Sequence, residues 1–172
     1  ENRAISLIKI MIESQLNLIV NWMRVGFIHG VMNTDNMALS GETIDFGPCA
    51  FMDNYDPNTV FSSIDRHGRY AFTNQPKIAQ WNLARFVETL LPFIHQDADK
   101  AIKIGEEMLN NYTLLYKRKW LEMMKTKIGL FGEYKDDEIL VKNLLILMKN
   151  EDADYTNTFI KLSEILTDEK KM

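Results

Sequence analysis

A single cysteine, Cys49, is all that the 172 residues contain, so no intrachain disulfide and no cysteine-based zinc site can be built from them. That scarcity fits a reducing compartment, and Cys49 itself reads as a small buried hydrophobe. The eight glycines are scattered, with no G-x-G-x-x-G or Walker-type spacing, and no strand-borne lysine of the V-A-I-K kind occurs. The chain therefore carries no phosphate cradle of its own. There is no dense Lys/Arg run and the net charge is −4, which removes the electrostatic case for nucleic acid. No apolar run approaches the roughly 20 residues that span a bilayer. Residues 5–25 are broken by Lys9, Glu13, Asn17 and Asn21, and are not expected to act as a secretory leader. Ser40, Ser62 and Ser63 lack the base and oxyanion-hole context of a serine hydrolase. His29, His67 and His95 share no metal-ligand spacing.

What is present is the composition of an ordinary globular protein, 46% hydrophobic and 26% charged, which is enough for one domain over residues 1–172 with a real core. Ile5, Ile8, Ile12, Leu16, Ile19 and Met23 recur at three- and four-residue spacings and predict a long first helix, with Gly26 as its terminator. From Asn74 the pattern is helical again. Thr73 or Asn74 can cap, Pro76 fits the first turn, and a largely buried helix runs through Trp81, Leu90 and Leu91 to Pro92. Asp97 starts a long amphipathic run to Ile128, with a kink or split expected near Asn110-Asn111 and breaks at Gly129 and Gly132. Asp136-Asp137-Glu138 load the next helix's start with negative charge. Residues 139–148 are apolar on most faces, so that helix is expected to be central. Asp152 or Asp154 caps a last helix over about residues 155–166, and the Lys-rich end is expected to fray.

Between the first helix and Asn74 lies the stretch the chain is organised around. It is His29-Gly30-Val31-Met32-Asn33-Thr34-Asp35-Asn36, followed nine residues later by Asp45-Phe46-Gly47-Pro48. Apolar triplets flanking Ser40-Gly41-Glu42 predict two short strands joined by a tight turn, which would bring Asp45 back beside Asp35 and Asn36. Two carboxylates and an amide oxygen suit a hard divalent cation such as Mg²⁺, with substrate phosphates completing its shell. Asn, Asp and Thr are also ordinary turn formers, and singly each fits that use as well. The spacing sharpens the choice. Protein kinases carry H-R-D-x-x-x-x-N and then D-F-G, with the Asn and the second Asp on metal ions. Aligned from His29, Asn36 falls on that Asn and Asp45 on that Asp, whereas the kinase catalytic Asp is replaced by Val31. By kinase rules the chain is a pseudokinase, with Asp35 as a substitute beside Asn36. His29 more simply buttresses the loop than serves as a base.

The same residues resemble the selenoprotein O family (SelO, also called YdiU). The resemblance runs through His29–Met37, Thr43–Pro48, Phe51-Met52-Asp53-Asn54-Tyr55-Asp56-Pro57 and Gly68-Arg69-Tyr70-Ala71-Phe72-Thr73-Asn74-Gln75-Pro76. It continues less sharply through Trp81-Asn82-Leu83 and Asp154-Tyr155-Thr156, and so covers most of the chain. It implies the C-terminal lobe of a kinase-like fold that transfers AMP, or UMP, to protein hydroxyls. The fold expected is thus mainly α with a small β-hairpin: helix, catalytic loop and metal hairpin over 1–48, an activation-segment-like loop over 49–73, and a helical subdomain over 74–172. Asp35 would be the proton acceptor, Asn36 and Asp45 the Mg²⁺ or Mn²⁺ ligands, and Asp45 would also meet the phosphates of ATP. ATP and protein substrates are the implied partners, with neither nucleic acid nor membrane. The compartment implied is the bacterial cytoplasm, or the mitochondrion in a eukaryote. The nucleotide lobe is expected in a preceding segment, so the chain alone should be inactive. A kinase-like phosphotransferase and a catalytically silent helical interaction module are the alternatives.

The 49–73 loop is expected to be ordered by its aromatics (Phe51, Tyr55, Phe61, Tyr70, Phe72). Its Asp53/Asn54/Asp56 cluster is read as side-chain-capped turns, since no EF-hand offset is met. Arg69 could meet a phosphate, but an ion pair with a neighbouring Asp is its simpler use.

Overall fold

A computed structural model describes residues 2–168, and side chains as far as Glu164; the expected fraying of the Lys-rich end lies outside the described residues. Five helices and one two-stranded sheet make up the fold, in the order α1 (Arg3–Val25), β1 (Phe27–Ile28), β2 (Ala50–Phe51), α2 (Gln75–Ile94), α3 (Ala98–Lys127), α4 (Asp137–Asn150) and α5 (Tyr155–Asp168). The mainly helical class is as the periodicities predicted. The β part is not. The sheet is antiparallel β1–β2, pairing Phe27 with Phe51 and Ile28 with Ala50, whereas the predicted hairpin is reduced to a single bridge between Met37 and Thr43. Two-residue strands are too short to show a period, which is why the sequence put the pairing inside the loop instead of around it.

α1 is the central element and packs against both α2 and α3. Asn2 caps it, accepting hydrogen bonds from Ala4 and Ile5, and Gly26 closes it at φ 72° with its N–H on Trp22 O. Its stripe Ile8, Ile12, Leu16, Ile19 and Met23 is buried, as predicted. By length and composition α1 is long and apolar enough to cross a membrane, which corrects the expectation that no run would be; here its apolar side is core.

α2 runs two residues beyond the predicted stop, because Pro92 sits in its last turn, and Trp81 is 44% exposed instead of buried. α3 is unbroken through Asn110-Asn111. Its Gly105 faces α2 so closely that a Cβ there would come within 2.9 Å of Val87 Cγ1, so this glycine serves helix packing and not a break. Asp97 caps α3 on Lys100 N, and Asp154 caps α5 on Asn157 N. α4 is not central. Only Asp137, Val141 and Met148 are buried along it, while Ile139, Leu140, Ile146 and Leu147 are half exposed or more.

Candidate functional site

The connection from β1 to β2 holds the site, and polar side chains from both neighbouring helices fix its course. Gln75, fully buried at the start of α2, accepts a hydrogen bond from His29 N at 2.9 Å and donates to Phe27 O at 2.9 Å. Seven residues on, the same face of α2 presents Asn82, whose Nδ2 donates to Met32 O at 2.9 Å. From α1, Gln15 Nε2 donates to Ala38 O at 2.7 Å and Trp22 Nε1 to Thr43 Oγ1 at 2.9 Å. Backbone groups here have no ladder to join, so side-chain amides take the place of sheet partners. Neither Gln75 nor Asn82 was singled out from sequence. The available signal was an amide sitting on an otherwise apolar helical stripe.

His29 is fully buried and performs the buttressing expected of it. Its Nδ1 accepts from Val31 N at 3.4 Å and its Nε2 lies 2.8 Å from Ile44 O. That pairing assigns the neutral tautomer with the proton on Nε2, donating to the carbonyl. One imidazole thereby joins the loop before Asp35 to the residue before Asp45. His67 and His95 are exposed. Gly30 sits at φ 84°, and a Cβ there would meet Pro48 Cγ at 3.0 Å and Pro48 O at 3.1 Å. The two halves of the site therefore touch backbone to backbone, which only glycine permits.

Asp35 and Asn36 lie in a single 3₁₀ turn, Thr34–Asn36. Asp35 is exposed and Asn36 half-buried. The Met37–Thr43 bridge puts Asn36 one residue before it and Asp45 two residues after it, at the same end. Asp45 is exposed and adopts φ 55°, one of two non-glycine residues in the left-handed region among those described. Gly47 N closes a tight turn on Asp45 O at 2.9 Å. An Asp held in this conformation costs on the order of 1 kcal/mol or more, a strain that concentrates where backbone geometry serves a site.

Asn36 Nδ2 donates to Val31 O at 3.0 Å, which fixes the amide and leaves Oδ1 as its remaining polar atom. Among the described residues, no donor reaches that Oδ1, and the carboxylates of Asp35 and Asp45 make neither ion pair nor hydrogen bond. Three hard oxygen donors without protein partners fit Mg²⁺, which takes one or two carboxylates and keeps waters and phosphates for the rest. Among the described residues no trio of His, Cys, Asp or Glu gathers to hold a metal, at this loop or elsewhere, so the donor set here is two carboxylates and an amide.

In the 49–73 segment the turn reading of the acidic cluster agrees with the geometry. Asp56 Oδ1 accepts from Asn58 N and meets Lys149, and Asn54 bridges to Asp154. Cys49 is partly buried against the core. Arg69 departs from expectation: its guanidinium makes no ion pair among the described residues and lies 5.0 Å from the Trp81 ring and 5.7 Å from that of Tyr70. Asp65, a neighbouring acid, spends both carboxylate oxygens on the backbone N–H groups of Arg69 and Tyr70.

The family model described as "Protein adenylyltransferase SelO" matches residues 1–172. A protein nucleotidyltransferase YdiU of Pelagibacter ubique is 60% identical over 162 residues, 94% of this chain and 34% of its own length. Those of Alkaliphilus metalliredigens and Nitrosococcus oceani are each 58% identical, over 95% and 93% of the chain and 33% and 32% of their own lengths. The chain spans about a third of the length of the curated relatives it matches.

Proposed function

The chain belongs to the SelO family, and on that premise we propose that it is the acceptor and metal half of a protein nucleotidyltransferase that transfers AMP from ATP to protein hydroxyls. The order of helix, catalytic loop, Asp-Phe-Gly and second helix supports reading it as the C-terminal lobe of a kinase-like fold. Its third of the relatives' length supports a nucleotide lobe elsewhere in the protein. The observation that supports the proposal is the set of ties made by His29 and Asn36 together with the Met37–Thr43 bridge, which bring the backbone of residues 35, 36 and 45 to the same end of one loop with their side-chain oxygens uncommitted.

In this reading Asn36 Oδ1 and the Asp45 carboxylate hold Mg²⁺ or Mn²⁺, whose charge offsets that of the ATP phosphates. Asp35 accepts the proton of the incoming Ser, Thr or Tyr hydroxyl, or orients it. The hydroxyl oxygen forms a bond to the α-phosphorus, the bond from that phosphorus to the bridging α–β oxygen breaks, and pyrophosphate leaves with the electron pair. The proton passes from Asp35 to water. Asp35 needs no raised pKa for this, because much of the effect of such a residue is positioning. Val31, where a kinase has its catalytic Asp, contributes through its backbone, its N–H to His29 Nδ1 and its carbonyl as the anchor for Asn36.

Intact-mass spectrometry of an acceptor protein incubated with the full-length protein, ATP and Mg²⁺ tests the reading. Addition of an adenylyl group is expected. Addition of a phosphate would replace the reading with a kinase, and no Mg²⁺-dependent modification would replace it with a silent interaction module.

A further inference from the structure

Arg69 opens onto a groove of ≈ 610 Å³ lined by Ile64, Arg66, Arg69, Tyr70, Lys77 and Trp81. Its charge is one-sided in a protein of net charge −4. Arg66, Arg69 and Lys77 are exposed and form no ion pair among the described residues. The one acid in the wall, Asp65, is consumed by two backbone N–H groups at 2.8 Å each. Arg69 also has its guanidinium carbon over the Tyr70 and Trp81 rings, at 5.7 and 5.0 Å from their centroids, an arrangement that spends none of its N–H donors. Ile64, 80% exposed, adds an apolar contact.

The groove is joined to the candidate site. Tyr70 Oη donates to Asn33 Oδ1 at 2.7 Å, two residues before Asp35. Whatever lies along the groove lies beside the loop that would receive the acceptor hydroxyl. Cations without partners, a preorganised guanidinium and an apolar step together match an extended acidic peptide segment.

We propose that this groove selects protein substrates by docking an acidic segment next to the acceptor hydroxyl, with Arg69 as the carboxylate clamp and Arg66 and Lys77 as its flanking charges. The proposal rests on the adenylyl-transfer reading above. Its test uses the full-length protein and two synthetic serine peptides that differ only in three Glu residues replaced by Gln. Wild type should favour the Glu peptide by about tenfold in kcat/KM, the worth of one charge-assisted contact, and the preference should shrink with added salt. Fluorescence anisotropy of the labelled peptides, read with ATP present, should give the same order of affinity. Arg69→Glu should erase or invert the preference while ATP affinity is unchanged. If loss of the ring stacking unfolds that variant, the double variant Arg66→Glu/Lys77→Glu, at two exposed positions, should lower the preference in its place.

Equal use of both peptides by wild type, or a preference that survives these substitutions, overturns the proposal and leaves adenylyl transfer standing. Weakened ATP binding in Arg69→Glu with the peptide preference intact also overturns it, by giving the groove to the nucleotide. Failure of wild type to label any peptide or protein removes the underlying reading, and this proposal with it.

Discussion

Asn36 donates its side-chain amide to Val31 O across five residues, at 3.0 Å, and that bond decides which end of the amide faces the site. A kinase-type motif carries a catalytic Asp where this chain has Val31. Losing that Asp leaves the Asn36 amide in place, because the anchor is a backbone carbonyl and survives any side chain at residue 31.

Asn36→Leu removes the oxygen that the proposal gives to the metal, together with the tie to Val31 O, and leaves the buried core residues unchanged. In the full-length protein we expect a fall in kcat of about 10²–10³, comparable to loss of one preorganised electrostatic group, with the Mg²⁺ requirement shifted to higher concentration. Titration of activity against Mg²⁺ checks this. An unchanged Mg²⁺ midpoint would take Asn36 out of the metal shell.

Gln75→Leu leaves two buried backbone groups, His29 N and Phe27 O, without their partner. Each orphaned group costs about 1–3 kcal/mol, so chemical denaturation should show a clear loss of stability. Because His29 also holds Ile44 O, the disturbance should reach both loop segments, and transfer should fall by more than the unfolded fraction explains. A variant as stable as wild type would contradict the bridging role.

Lys125 Nζ lies 2.5 Å from Asp137 Oδ2, and it also donates to Gly132 O, tying the end of α3 to the start of α4. The Lys125 ammonium, and after it the Tyr134 N–H, hold the Asp137 carboxyl below its usual range. Its pKa is thus lower folded than unfolded, so the unfolded chain binds more protons in the interval between the two values. The contribution is fully present above the ordinary Asp range and is lost as pH falls through the folded value. Thermal melts should give a lower Tm for Asp137→Asn than for wild type at pH 7, with the gap narrowing on acidification. A gap that is constant down to about pH 2 would contradict the linkage.

What could be read from residues alone follows a physical division. α1 was legible because a stripe of Ile and Leu at helical spacing ends in a glycine that must take φ > 0. The loop was legible as a candidate site because only a few residue types supply hard oxygen donors. The β1–β2 pairing was not, since two residues carry no period, and neither was the role of Gln75, whose partners are 46 and 48 residues away. α4 misled for the opposite reason: an apolar run states that a helix can be buried, not which of its faces is covered. Arg69 misled because an adjacent acid suggested a pair, whereas local backbone N–H groups claimed that acid first.

The division of labour within the loop is tested most directly at Asp35, by measuring adenylyl transfer and Mg²⁺-dependent ATP affinity on the same preparation of full-length Asp35→Ala. The account predicts ATP affinity within about threefold of wild type and transfer reduced by about 10²–10⁴, the range of a lost general base. Transfer at the wild-type rate would contradict it.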